Sequence, residues 1–180
     1  MGAGRHPREP TTMAGLGWLH LSDLHVGTTG TLWQRPQYRE EIERDLVWLR
    51  DRVGAFDVIL VAGDLAATGT ETEYGVVTEV LASLQDFLAR LGPRPALLAV
   101  PGNHDLVRAA AGVAPKPATW ETKREVFFED HKHPFRRAVT AAFTPFLQWI
   151  ERWHRERPGN VEVALRKGLL PGDFVATITK

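Results

Sequence analysis

At residues 96–105 the sequence reads ALLAVPGNHD, an apolar run that ends directly in a cluster of polar side chains. Two earlier stretches repeat this pattern, WLHLSDLH at residues 18–25 and VILVAGDL at residues 58–65. A short apolar run bounded by turn-forming residues is typical of a buried strand. We therefore predict three strands, each with a polar cluster at its carboxyl end.

Two helical patterns separate these strands. Apolar residues recur at helical spacing from Pro36 to about Val53, and again from Thr70 to Leu91. We place the strands at residues 16–21, 57–62 and 96–100. The alternation of strand and helix predicts an α/β fold with a parallel sheet and right-handed crossovers.

The polar clusters are expected to meet, because ligands and chemistry collect at the carboxyl ends of the strands in open α/β sheets. Their side chains are carboxylate, imidazole and amide, and the chain has no cysteine. This donor set suits divalent Mn, Fe or Zn. The candidate metal ligands are Asp23, His25, Asp64 and Asn103. Two ions could orient a hydroxide for attack on phosphorus, and Asp64 could bridge them.

Two further residues of the third cluster are candidate catalytic residues. His104 is placed to protonate the leaving oxygen or to stabilise developing charge. Asp105 is the candidate partner that orients the His104 ring.

Together the three blocks resemble the calcineurin-like metallophosphoesterases. The resemblance covers about residues 16–108 and is carried by Ser22-Asp23-Leu24-His25, Gly63-Asp64-Leu65 and Pro101-Gly102-Asn103-His104-Asp105. It implies a four-layer α/β/β/α sandwich, a dinuclear metal centre with a bridging hydroxide, and phosphoester hydrolysis. It also implies that Asp23 and His25 bind the first ion, Asp64 bridges, Asn103 binds the second, and His104 is the acid or transition-state residue.

The sequence departs from the family's later blocks, a histidine after a fourth strand and a Gly-His-x-His pair, neither of which appears. His131, His133 and His154 lie in or beside charged segments and are expected on the solvated surface, and His20 is expected to be a core or sheet histidine. We therefore expect a sandwich that is incomplete at its C-terminus, in a chain that is the front part of something longer.

The second half has a different composition. We predict a loop at 109–117, a short helix at 120–129, and a longer helix at 135–155 that Pro145 kinks or splits. The aromatic residues of this longer helix are expected to pack in the core rather than stack on bases. Two β-like runs follow, at 161–165 and 174–178.

For the domain organisation we expect a disordered leader at residues 1–15 and a phosphoesterase domain at 16–180, with a helical insert at about 118–157. The leader has no apolar core, and no run approaches the ~20 apolar residues that span a membrane. We expect a cytoplasmic protein without membrane contact. The oligomeric state is not predicted.

The favoured function is metal-dependent hydrolysis of a small phosphoester or cyclic-nucleotide-like substrate, by a phosphodiesterase or phosphatase that uses manganese or a similar ion. Gly63-Asp64-Leu65, followed by Thr68-Gly69 and Glu73-Tyr74, resembles the family branch that acts on cyclic nucleotides.

Two alternatives stay open. The first is a nuclease of the same fold, with a basic groove on the first helix. Lys+Arg and Asp+Glu are both 22, so there is no overall basic field, and nucleic acid is not favoured. The second is a non-catalytic, truncated phosphoesterase-fold module within a larger protein. The arginines that would form the basic groove of the nuclease alternative are Arg35, Arg39, Arg44, Arg50 and Arg52, and they are interleaved with acidic residues.

Overall fold

The computed structural model describes residues 15–27, 35–108, 128 and 132–180 of the chain. A parallel sheet of order β1-β2-β3 forms its centre, with strands β1 (Trp18–Leu21), β2 (Val58–Ala62) and β3 (Ala96–Val100). Two helices make the crossovers, α1 (Pro36–Val53) after β1 and α2 (Glu71–Leu91) after β2. The predicted β-α-β-α-β order is confirmed.

Local signals in the sequence set the ends of these helices. Pro36 lies in the first turn of α1, where its missing N–H is not needed. Thr70 caps α2, and its hydroxyl accepts a hydrogen bond from the Glu73 amide while the Glu73 carboxylate accepts one from the Thr70 amide. At the other end of α2, the Gly92 amide donates to the Leu88 carbonyl.

The second half contains two further helices and a hairpin. Helix α3 covers Pro134–Ala142 and helix α4 covers Thr144–Glu156, so the predicted longer helix is split at Phe143, with Pro145 in the first turn of α4. Strands β4 (Glu162–Lys167) and β5 (Phe174–Thr179) pair antiparallel, which confirms the two β-like runs. The predicted leader up to residue 14, the loop at 109–117, most of the helix at 120–129, and His131 lie outside the described residues.

The core lies between the sheet and helices α1, α2 and α4. Phe146, Trp149 and Trp153 of α4 are all buried. The Trp149 ring stacks on the ring of Tyr74 in α2 at 5.4 Å between centroids. The prediction that these aromatic residues pack in the core is confirmed.

Strand β1 differs from its prediction as a buried strand. None of its residues is buried, and 59% of Trp18 is exposed. The reason is that β1 lies at the edge of the three-stranded sheet and pairs only with β2 among the described residues. His20 is exposed and lines a groove with Leu60, Leu98 and Phe174, so it is a sheet histidine and not a core residue. Among the described residues no helix is long and apolar enough to cross a membrane.

Candidate metal centre

The polar clusters after β1 and β2 lie side by side because the pairing of these strands continues beyond their ends. The Asp23 amide donates to the Gly63 carbonyl at 3.2 Å, and the His25 amide donates to the Asp64 carbonyl at 2.9 Å. One residue further, an isolated parallel bridge joins Val26 to Ala66. The two segments therefore run together across the carboxyl edge of the sheet, as the sequence predicts.

Three residues at this edge have a backbone conformation that side chains rarely adopt. Asp23, His25 and Asp64 have φ values of 57°, 44° and 54°, and they are the non-glycine residues with positive φ in the part of the chain that the structure describes. Each such residue costs of order 1–3 kcal/mol and persists only where its surroundings impose it. The strain therefore coincides with three of the four candidate metal ligands.

Side chains from all three clusters converge here. Donor atoms of His25, Asp64 and His104 lie within 4.8 Å of one another. His25 Nε2 lies 3.6 Å from Asp23 Oδ1 and 3.9 Å from Asp64 Oδ2. The rings of His25 and His104 are perpendicular, with centroids 4.8 Å apart.

These distances fit a divalent metal. Two ligand atoms that each lie about 2.1 Å from one ion can be at most about 4.2 Å apart, and both distances from His25 Nε2 are shorter than this limit. The donors are imidazole nitrogen and carboxylate oxygen, the set that Mn, Fe and Zn accept. The residues present therefore suit such an ion.

Three of the candidate ligands, Asp64, Asp23 and Asn103, differ in how exposed their side chains are. The Asp64 side chain is only 16% exposed, and its Oδ1 accepts a hydrogen bond from the His104 amide at 3.0 Å. The Asp23 side chain is 65% exposed. Asn103 is exposed in the turn between Gly102 and His104.

The backbone orients the His104 ring. Its Nδ1 lies 2.9 Å from the carbonyl oxygen of Ala67. Because a carbonyl oxygen can only accept, Nδ1 must carry a hydrogen and donate it. The neutral ring then has its unprotonated nitrogen at Nε2, the atom that can take up or deliver a proton.

Asp105 has other partners than the predicted one. It is completely buried, and its Oδ2 accepts hydrogen bonds from the amides of Leu65 at 3.1 Å and Gly102 at 2.8 Å. Its Oδ1 accepts from the Ala66 amide at 2.8 Å and from the Tyr74 hydroxyl at 3.0 Å. The carboxylate thus organises backbone, while Ala67 has the role toward His104 that the sequence analysis assigned to Asp105.

From the sequence, Tyr74 is named only within the stretch that resembles the cyclic-nucleotide branch, and its hydrogen bond to Asp105 is not predicted. The position of Tyr74 four residues after the N-cap of α2 was the available signal, because a side chain there lies close to the loop that leads into the helix. His154 also differs from its prediction as a surface residue. It is partly buried, and its Nε2 lies 2.9 Å from the Leu97 carbonyl oxygen of β3. His133 is partly buried as well.

Comparison with known proteins agrees with the geometry. A family model described as calcineurin-like phosphoesterase matches residues 18–171. The chain therefore belongs to the calcineurin-like phosphoesterase family, and its fold is the α/β sandwich of that domain. The match extends beyond the three motif blocks through α3, α4 and β4. No individually curated protein matches the chain.

Membership of this family implies metal-dependent hydrolysis of phosphoesters, and the His25, Asp64 and His104 cluster could hold a metal ion.

Proposed function

We propose that this chain is a phosphodiesterase or phosphatase with a dinuclear metal centre. In this proposal Asp23 and His25 would hold one ion, Asp64 would serve both, and Asn103 would hold the other. The observation that carries the proposal is the closeness of His25 Nε2 to carboxylate oxygens of Asp23 and Asp64, at 3.6 and 3.9 Å. Residues 16–180 would form one domain with an insert at about 118–157, and we keep the expectation of a cytoplasmic protein.

Divalent ions such as Mn²⁺, Fe²⁺ or Zn²⁺ would supply Lewis acidity, which polarises the phosphoryl group and activates water. The remaining roles would belong to residues of the chain itself. The hydrogen bond from His104 Nδ1 to the Ala67 carbonyl would hold the ring so that Nε2, once it has taken up a proton, can donate that proton to the leaving oxygen. The hydrogen bond from the His104 amide to Asp64 fixes the distance between the acid and the bridging carboxylate.

The substrate we propose is a small phosphoester or cyclic-nucleotide-like diester. A nuclease is less well supported, because arginines of α1 are paired with acidic residues of the same helix. Arg39 Nε lies 2.9 Å from Glu43, and Arg50 lies 2.9 Å from Asp51. Such pairs reduce the positive charge that α1 presents to a polyanion.

The residues that resemble the cyclic-nucleotide branch have structural partners here. Thr68 and Glu73 are joined by hydrogen bonds at the start of α2, and the Tyr74 hydroxyl donates to Asp105. These hydrogen bonds join the loop after Asp64 to the start of α2.

The test is hydrolysis of bis(p-nitrophenyl) phosphate, and of p-nitrophenyl phosphate as the monoester, by metal-stripped protein to which Mn²⁺ is returned. We expect Mn²⁺-dependent turnover that Asp64→Asn lowers at least about 100-fold. Asp51→Asn, at an exposed position of α1, is the matched control and should keep full activity. Elemental analysis after Mn²⁺ loading should give about two ions per chain, and fewer in Asp64→Asn.

The alternatives give other results. Binding of Mn²⁺ without turnover of either ester would favour the non-catalytic module. Degradation of single-stranded DNA in preference to both esters would favour the nuclease.

A further inference from the structure

Two buried residues contact the loops that carry the candidate metal ligands without being candidate ligands themselves. Tyr74 is 2% exposed and Asp105 is fully buried. The Tyr74 hydroxyl lies 3.0 Å from Asp105 Oδ1 and 3.2 Å from the Asp105 carbonyl oxygen. The pair therefore joins helix α2 to the loop after β3.

The Asp105 carboxylate connects the two loops that present the ligands. It accepts hydrogen bonds from the amides of Leu65 and Ala66, the two residues that follow Asp64. It also accepts one from the amide of Gly102, the residue before Asn103. Each carboxylate oxygen thus has two donors, and hydrogen bonds to an ionised acceptor are about twice as strong as neutral ones.

These hydrogen bonds act where the backbone is strained. Asp64 has a φ of 54°, so the chain at this point needs external contacts to stay in place. The two amides that follow Asp64 are both held by Asp105. If that hold is weakened, Asp64 can relax toward negative φ, and its carboxylate then leaves the position facing His25.

Tyr74 has a rigid anchor of its own in the core. Its ring stacks on Trp149 at 5.4 Å and contacts Phe146 edge-on at 6.2 Å, and Trp149 Nε1 donates to the Thr78 hydroxyl at 2.9 Å. Burial, together with the nearby Asp105 carboxylate, raises the pKa of Tyr74 above its usual range. The hydroxyl therefore remains a donor throughout the neutral pH range.

We propose that Tyr74 and Asp105 are positioning residues of the metal centre, which transmit the rigidity of the α2–α4 packing to the strained backbone at Asp64. Neither is among the proposed ligands, and Asp105 accepts its hydrogen bonds from backbone amides and from Tyr74. The proposal rests on the proposed function for the identity of the ligands, and it adds which residues hold those ligands in place.

The test compares Tyr74→Phe and Asp105→Asn with two matched controls. Tyr38→Phe removes the hydroxyl of the chain's other tyrosine, which lies on α1. Asp57→Asn changes the other buried aspartate of the described residues, which accepts a hydrogen bond from the Gly17 amide at the opposite edge of the sheet. Three quantities are measured on the full chain: the dissociation constant for Mn²⁺, the melting temperature, and hydrogen exchange of the Leu65, Ala66 and Gly102 amides without metal.

We expect Tyr74→Phe to weaken Mn²⁺ binding about 10-fold and Asp105→Asn about 100-fold. Both should accelerate exchange of the three amides. Asp57→Asn should lower the melting temperature while leaving the Mn²⁺ affinity and these amides within about twofold of the wild type. Tyr38→Phe should leave the affinity and the amides equally unchanged.

The proposal is overturned if Tyr74→Phe lowers the melting temperature but leaves both the affinity and the three amides unchanged. Should Asp105→Asn fail to fold, the Mn²⁺ affinity and amide exchange of Tyr74→Phe still test the proposal. Should the wild type bind no Mn²⁺, the proposed metal centre fails; faster exchange of the three amides in Tyr74→Phe would still support the part of the proposal in which Tyr74 and Asp105 hold the loops at Asp64 and Gly102, and unchanged exchange would overturn it.

Discussion

The carboxylate of Asp64 occupies the space in which a Cβ atom on Gly102 would lie. A Cβ built at Gly102 would come within 2.6 Å of the Asp64 amide nitrogen and would collide with Asp64 Oδ1. The loops after β2 and β3 approach so closely that only glycine fits between them. This contact places the bridging carboxylate of the proposed centre against the turn that carries Asn103 and His104.

Gly102→Ala should therefore displace Asp64. We expect a loss of about 1–3 kcal/mol in the free energy of unfolding from overpacking, and at least about 10-fold weaker Mn²⁺ binding. Denaturant unfolding and metal titration measure the two effects. Gly75→Ala, on the exposed side of α2 with open space around it, is the control and should raise stability by about 0.5–1 kcal/mol. Unchanged Mn²⁺ affinity in Gly102→Ala would show that the contact does not position the ligand.

His104→Gln tests the role of the imidazole as the acid. We expect turnover to fall about 100-fold or more for an ester with a poor leaving group such as phenolate, because that oxygen needs a proton. The loss should be smaller for p-nitrophenolate, which departs unprotonated. Steady-state rates on the two esters make the comparison. An equal loss on both, accompanied by loss of Mn²⁺, would instead identify His104 as a ligand.

Glu73 should make the stability of the protein depend on pH in the acid range. Burial raises the pKa of its carboxyl group, but the hydrogen bonds from the Thr70 and Thr68 amides and hydroxyls outweigh it, and the pKa is lowered from 4.5. The folded state then binds this proton less tightly than the unfolded state. The stabilisation is fully present above pH 4.5 and is lost as the pH falls through the folded-state pKa.

Glu73→Gln should consequently unfold more easily above pH 4.5, by only a small amount because solvent screens this partly exposed carboxylate, and the difference from the wild type should vanish at lower pH. Urea unfolding between pH 3 and 7 measures how the free energy of unfolding of the wild type and of Glu73→Gln depends on pH. Glu79→Gln, an exposed position on the same helix, is the control. A difference that persists at the lowest pH would contradict the assignment to Glu73 ionisation.

Phe146→Ala should cost about 3–5 kcal/mol in the free energy of unfolding, because Phe146 has no exposed surface and contacts the ring of Tyr74 in α2. Val175→Ala, at a position that is 65% exposed, should change it by no more than about 0.5 kcal/mol. Chemical denaturation separates the two. A mild effect of Phe146→Ala, together with weakened binding of single-stranded DNA, would favour the base-stacking role that the burial of these aromatics opposes.

Much of the fold could be predicted from local patterns. The apolar runs predict β2 and β3, the helical spacing and Pro36 predict α1, and Pro145 predicts the division between α3 and α4. These features depend on residues within a few positions of one another. The proposed ligands are also readable in this way, since Asp23, His25, Asp64 and Asn103 each follow a strand end, and parallel strands end at one edge.

The arrangement behind the ligands depends on contacts that no local pattern contains. Asp105 lies 40 positions from Leu65 and 31 from Tyr74, and His104 lies 37 from Ala67. Because His104 and Asp105 are adjacent in sequence, a contact between their side chains was predicted. Asp105 is buried instead, and its carboxylate accepts hydrogen bonds from backbone amides. A buried charge needs donors and takes the nearest ones that packing provides. Residue order therefore sufficed to propose the metal ligands, whereas the groups that contact them depend on how the chain packs.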